Sequence, residues 1–167
     1  MTAPTTLRTR RLVCDRFTMD HVDALASMDR NWDVQQWLFG KTYTAEETRA
    51  RAQRRVAYWD EHGAGDYIVH THDRTFIGFA GFFPSDRPDA IAIGYALMPA
   101  YWGYGYGTEL AMMLTEAALQ LGRSEIVATV RDTNVASRTI LEKAGFVAID
   151  RVESETDTLL YAMPRRA

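Results

Sequence analysis

The tightest constraint on this chain is a single turn, Met98-Pro99-Ala100-Tyr101-Trp102-Gly103-Tyr104-Gly105-Tyr106-Gly107-Thr108-Glu109. Three glycines at alternate positions separate an apolar run, residues 90–98, from a stretch in which Leu110, Leu114, Ala117 and Leu121 fall at helical spacing. This predicts a strand, a glycine turn and a helix stopped by Gly122. Glycine allows positive φ and close approach of a ligand to the backbone. The first amides of a helix lack internal partners, and the helix dipole favours an anion there. Together they form a cradle for phosphate. The turn has no Gly-Lys-Ser/Thr, so it is not a P-loop. Its G-x-G-x-G spacing also departs from the G-x-G-x-x-G of dinucleotide folds. Taken alone, the three glycines also fit a turn that holds no ligand.

The remaining punctuation places this turn in a larger pattern. Residues 7–17 read as a strand, Thr18 as a helix N-cap, and Val22, Leu25 and Met28 as one helical face. Thr44 with Glu47 is a capping box, and Gly63 and Gly65 are placed to end that second helix. Residues 66–72 and 75–83 read as strands joined by a hairpin at His72-Asp73-Arg74, with a polar turn from Pro84 to Pro88. A strand over 125–131, a helix over 135–144 closed by Gly145, and strands near 146–153 and 157–163 follow. The order is β-α-α-β-β-β-α-β-α-β-β. Tight turns force antiparallel neighbours, while the β-helix-β step across 90–131 implies one parallel pair. The fold class expected is therefore mixed α+β, mostly antiparallel, with helices on both faces of the sheet.

Composition narrows the function classes. At 167 residues the chain fits one domain spanning 1–167. Its 47% hydrophobic and 25% charged residues are ordinary for a soluble globular protein. A net charge of −3 without a basic block excludes a nucleic-acid footprint. No apolar run reaches the ~18 residues that span a bilayer, and Met1 to Thr6 lacks a signal-peptide core, so no membrane is expected and the cytoplasm is the default compartment. Seventeen of the 19 basic residues are arginine, a bias of GC-rich bacterial genomes. Cys14 stands alone, which excludes an internal disulfide, and it reads as a space-filling strand residue. His70 and His72 share a face of the predicted strand but lack a third ligand, so no metal is expected.

Several motifs in order resemble one family. Trp102 to Thr108 is similar to motif A of the GNAT N-acetyltransferases, in which Q/R-x-x-G-x-G/A wraps the pyrophosphate of acetyl-CoA. The wider phrase Tyr101-Trp102-Gly103-x-Gly105-Tyr106-x-Thr108-Glu109 resembles the subfamily containing the ribosomal-protein N-terminal acetyltransferases (RimJ/RimL-like). Leu7-Arg8-Thr9-Arg10-Arg11-Leu12 matches its opening L-x-T-x-R-L. Asn134, Ser137, Glu142, Lys143, Gly145 and Phe146 match its N-x-x-S-x-x-x-x-E-K-x-G-F. Ile77-Gly78 and Ile93-Gly94-Tyr95 fit the strands before motif A, so the resemblance covers nearly the whole chain.

The resemblance implies the GNAT fold, with strand 90–98 splayed from strand 125–131, and acetyl-CoA as cosubstrate without a metal. It implies that the amides of Gly103, Tyr104, Gly105, Tyr106, Gly107 and Thr108 hold the pyrophosphate. Trp102 replaces the family's Arg/Gln. Leu97 and Met98 would offer backbone groups to the cofactor, one amide facing the thioester oxygen. Asn134 is either a helix N-cap, a cofactor contact, or both. Where many members carry a tyrosine that protonates the leaving thiolate, this chain has Leu141, and Ser137 is the implied substitute. Ala92 replaces the glutamate that often serves as base; Asp89, Glu109 and Tyr95 are the nearby titratable groups, and none is assigned. Trp37, with Trp32 and Phe39, falls in a segment that walls the acceptor site in the family, core packing being the alternative. The acceptor implied is a primary amine, at a protein or peptide N-terminus, or alternatively on an amino acid, polyamine or antibiotic. A third reading is a CoA-binding sensor without catalysis. Such folds occur as monomers and homodimers.

Overall fold

A computed structural model describes residues 1–152 and 157–164. Its elements are β1 (Thr6–Arg8), β2 (Leu12–Arg16), α1 (Val22–Asp29), α2 (Trp32–Leu38), α3 (Ala45–His62), β3 (Asp66–Thr71), β4 (Phe76–Phe83), β5 (Ala90–Leu97), α4 (Tyr106–Gln120), β6 (Glu125–Arg131), α5 (Val135–Lys143), β7 (Val147–Val152) and β8 (Thr158–Ala162). The strands form one sheet in the order β1-β2-β3-β4-β5-β6-β8-β7, with every pair antiparallel except β5 and β6. The mixed α+β class and the single parallel pair are as the sequence predicts.

Local chemistry accounts for most element boundaries. Thr44 accepts from the Glu47 amide while the Glu47 carboxylate accepts from the Thr44 amide, which fixes the start of α3. Gly63 ends α3 at φ +68°. Thr18 begins a short 3₁₀ turn, Met19–His21, that leads into α1.

Two expectations need correction. The strand predicted over 7–17 is two strands, because the chain reverses at Thr9-Arg10-Arg11 and the Thr9 amide donates to Leu12 O at 3.0 Å. Between the two predicted N-terminal helices lies a further one, α2, capped by Asn31, whose side chain accepts from the Asp33 amide at 3.0 Å. It spans only seven residues, too few to show a helical period clearly. The predicted strand 146–153 forms as Val147–Val152; Glu153 lies outside the described residues.

Successive strand residues point to opposite faces, and the core divides accordingly. Tyr67 and Val69 of β3, Ile93 and Leu97 of β5, and Ile126, Ala128 and Val130 of β6 pack with Leu110 and Leu114 of α4 and Leu141 of α5. Ile68 of β3 and Phe79 of β4 pack on the other face with Leu25, Met28, Val34 and Ala52 from the N-terminal helices, and Ala96 of β5 packs against them.

The parallel pair is short. β5 and β6 are in register only over Ala90–Ala92 and Glu125–Val127, although both strands run further. Beyond that point they separate. β6 keeps β8 along its other edge, and β5 keeps β4. The fold therefore opens a cleft within the sheet itself.

Candidate functional site

The cleft presents backbone groups along β5. The Met98 amide donates to Ile77 O, and the Phe82 amide donates to Gly65 O. In an antiparallel ladder, bonded and non-bonded pairs alternate. The register Phe83↔Ala92, Gly81↔Gly94 and Phe79↔Ala96 then directs the even-numbered residues of β5 to β4. Tyr95 and Leu97 turn their N–H and C=O groups toward the cleft, whereas the Ile93 amide, next to the last paired residue Ala92, still closes the parallel ladder on Val127. Of the two residues singled out in the sequence, Leu97 has an amide facing the cleft, whereas the Met98 amide is bound within the ladder. The Leu97 carbonyl accepts from Trp102 Nε1 at 2.8 Å, so this tryptophan ties the strand end to the following turn.

That turn has the geometry of an anion cradle. Gly103 and Gly105 both sit at φ +81°, a conformation costly for residues with a Cβ. A Cβ on Gly103 would meet nothing within 4 Å. A Cβ on Gly107 would lie 2.6 Å from Ile140 Cδ1, so this glycine brings α4 and α5 together. The first bond at the head of α4 runs from the Glu109 amide to Gly105 O. Among the described residues, the amides of Gly103, Tyr104, Gly105, Tyr106, Gly107 and Thr108 have no protein acceptor.

The cradle is held from below by the β1–β2 turn. Glu109 accepts from the Thr9 hydroxyl, from the Arg11 amide at 2.9 Å and from Arg11 Nε at 2.7 Å. Arg11 Nη1 donates to Tyr104 O at 2.8 Å, and the guanidinium lies 4.4 Å from the centre of the Tyr106 ring. Burial raises the Glu109 carboxyl, but the bonds from Thr9 and Arg11 outweigh it and hold the group below its ordinary value. In the sequence Glu109 is one of the titratable groups left unassigned. The signal that could have found the clamp is the joint presence of Thr9 and Arg11 in one motif and Glu109 in another.

Across the cleft, Asn134 caps α5 and accepts from the Ser137 amide at 3.1 Å; its side-chain NH₂ has no partner among the described residues. Ser137, in the first turn of α5, places Oγ 3.2 Å from Tyr95 Oη. Burial pushes the Tyr95 phenol up to about 12, more than the Ser137 contact lowers it, so Tyr95 stays protonated at neutral pH and cannot be a base. Glu109 is committed to Arg11, and Asp89 is exposed in a turn at φ +58°. Leu141 is buried beneath α5.

A cavity of about 620 Å³ passes through the cleft and joins the two sides of the sheet. Asn134, Ser137 and Leu141 line it on the α5 side, and Trp37, Phe39, Arg51 and Arg55 line it on the other. Trp37 is half-buried, whereas Trp32 and Phe39 are mostly exposed, so they are not core residues. Ala92, Gly94 and Ala96 keep the β5 side of this lining small. Two acidic groups of the lining are neutralised within the protein. Asp29 accepts from Thr48 Oγ1 at 2.9 Å and Arg51 Nε at 3.0 Å; Asp66 lies 3.4 Å from Arg55 Nη1.

Two other residues fall outside this arrangement. Cys14 is fully buried, and burial raises its thiol to about 12, which fits a packing role. His72 is in the β3–β4 turn, beyond the end of β3, with Nε2 3.3 Å from Thr9 O; it does not share a strand face with His70, contrary to expectation. No helix among the described residues is long and apolar enough to cross a membrane.

Comparison with known proteins gives a consistent answer. Residues 11–147 match the acetyltransferase (GNAT) domain family. The chain is 24% identical over 167 residues to an FsC-acetyl coenzyme A-N(2)-transacetylase of Aspergillus fumigatus, covering 93% of this chain and 71% of that protein. Among solved structures, an acetyltransferase of Agrobacterium tumefaciens superposes with a TM-score of 0.83 at 23% identity, over 99% of this chain and 96% of the other. A RimL ribosomal L7/L12 α-N-protein acetyltransferase in complex with coenzyme A superposes with a TM-score of 0.81 at 22% identity, over 97% of each chain.

Proposed function

The chain belongs to the GNAT acetyltransferases and is an acetyl-CoA-dependent N-acetyltransferase, and on that footing we propose that it acetylates the free amine at a protein or peptide N-terminus by direct transfer. The observation that carries the cofactor half of this reading is the run of amides from Gly103 to Thr108 without protein acceptors, at the head of α4 and beside the open edge of β5. These amides hold the pyrophosphate, and the pantetheine arm lies in the cleft. There the Ile93 carbonyl and the Tyr95 amide and carbonyl pair with it as a neighbouring strand would. The acetyl group then sits within the sheet, reachable by an amine entering from the α2–α3 side.

Chemistry needs little beyond alignment, which supplies roughly 7–11 kcal/mol in favourable cases. The amine nitrogen attacks the acetyl carbon, the Leu97 amide stabilises the developing oxyanion, and the C–S bond breaks. Ser137 gives its proton to the departing sulfur and regains the proton that leaves the nitrogen. Tyr95, protonated and 3.2 Å away, orients Ser137 Oγ. Trp37 walls the acceptor side of the same cavity. Asn134 both caps α5 and donates its free NH₂ to the pantetheine arm.

The peptide reading is supported by the motif resemblance and by a neighbour named for ribosomal-protein acetylation. Thiol release measured against matched peptides and small amines tests it. Turnover on peptides with free N-termini, lost when the N-terminus is blocked, is the expected outcome. Turnover on small amines alone would replace it with the small-amine reading, and tight acetyl-CoA binding without turnover on any amine would leave a CoA sensor.

A further inference from the structure

Among the described residues, the acceptor side of the cavity contains a charge without a counterion. Arg131 ends β6 and lines the cavity. Its neighbours Ile126, Ala128 and Val130 point beneath α4, so Arg131 points to the opposite face, where an amine would enter. The guanidinium reaches across that face to the loop between α2 and α3. A Cβ placed on Gly40 would lie 3.2 Å from Arg131 Nη2.

The other cations of the lining each have an acid beside them, although Arg55 Nη1 meets its acid at 3.4 Å without a hydrogen bond. Arg51 pairs with Asp29, Arg55 with Asp66 and Arg87 with Glu125. Among the described residues, the Arg131 side chain has no ion pair and no hydrogen bond. It is half-buried, so its charge is only partly solvated. A second, independent feature points to a polar ligand. Gln35 is 1% exposed and lines the same cavity, yet its Oε1 has no donor among the described residues. A buried acceptor without a partner is costly.

We propose that the acceptor carries a carboxylate close to its reactive amine, and that Arg131 receives it while Gln35 Oε1 accepts an N–H of the same molecule. The inference rests on the acetyltransferase reading of the cavity but not on the acceptor being a peptide. The carboxylate belongs either to an acidic side chain near a peptide N-terminus or to a small amino acid. A planar guanidinium suits a carboxylate because two parallel N–H groups meet its two oxygens.

The test uses matched acceptors that differ only in charge: peptides with Asp or Asn, and with Glu or Gln, in the first positions, and free glutamate against glutamine, each assayed by thiol release. The wild-type chain is expected to favour the carboxylate member of a pair in kcat/KM by about tenfold or more, the scale of one charge-assisted hydrogen bond. Arg131→Gln should cut that ratio to below about threefold. Arg131→Lys should keep part of it, and the KM for acetyl-CoA should hold in both, which reports that the variants fold. Equal use of both members by the wild type, or an unchanged ratio in Arg131→Gln, overturns the proposal. Discrimination among amino acids with no turnover on any peptide would sustain the proposal and overturn the peptide reading. Should neither panel release thiol, calorimetry with N-acetylglutamate and N-acetylglutamine in the presence of CoA decides. Selective binding of the former, lost in Arg131→Gln, supports the inference, and equal or absent binding ends it.

Discussion

Tyr95 and Ser137, on β5 and α5, bring their hydroxyl oxygens to 3.2 Å across the cleft between the splayed strands. Burial keeps the Tyr95 phenol protonated, its value raised to about 12. The pair is therefore two neutral hydroxyls in contact, with Tyr95 Oη also 3.4 Å from the Ser137 carbonyl.

From that pair comes the first expectation. Ser137→Ala should lower kcat by about 10²-fold, within the range typical of a positioned proton donor, while the KM for acetyl-CoA holds. Tyr95→Phe keeps the ring and removes only the orienting hydroxyl, so its loss should be about tenfold or less. Because Tyr95 does not ionise below pH 10, kcat should show no inflection from it between pH 6 and 9. Steady-state kinetics across that range check all three outcomes, and an unchanged kcat in Ser137→Ala removes it from the reaction.

The glycine turn separates binding from packing. Gly103→Ala meets open space but forces a Cβ into φ +81°, costing about 1–2 kcal/mol locally. It should weaken acetyl-CoA binding about tenfold while Tm moves by only a few degrees. Gly107→Val instead drives a side chain into Ile140, so about 1–3 kcal/mol of stability should be lost. Calorimetric titration with acetyl-CoA and thermal melts distinguish the two.

The clamp at Glu109 makes the cradle sensitive to acid. Its folded carboxyl lies below the ordinary 4.5, so it stabilises the fold above that value and loses its contribution as the pH falls through the folded one. Glu109→Gln removes the charge that Arg11 pairs with and should lower Tm at pH 7. The gap from wild type should stay constant between pH 7 and 5.5 and close only below about pH 4. Melts at several pH values report it; a gap that widens on acidification would contradict the sign.

Trp37→Ala should raise the acceptor KM severalfold and leave the KM for acetyl-CoA in place, because Trp37 faces the cavity from the side opposite α5. Equal changes in both constants would make it a packing residue instead.

Much of this was legible from neighbouring residues. The Thr44–Glu47 box, the Gly63 stop and the helical face of Leu110 and Leu114 are local patterns, set within a few residues of chain. So was the cradle, whose amides are orphaned by the start of α4 itself. The break at Thr9–Arg11 was not. It depends on Glu109, far away in sequence, and a continuous β-rich run hides it.

The sequence by itself determined the order of elements from α3 onward, the parallel β5–β6 step and the glycine turn at the head of α4, because backbone sterics, capping and periodicity act at short range. Only the tertiary structure decided how far β5 and β6 stay paired, which β5 amides face the cleft, that Tyr95 meets Ser137, and that Arg131 has no acid beside it among the described residues. Those outcomes depend on which strands lie side by side and on the face each side chain takes. Sequence spacing alone does not encode distances across a sheet.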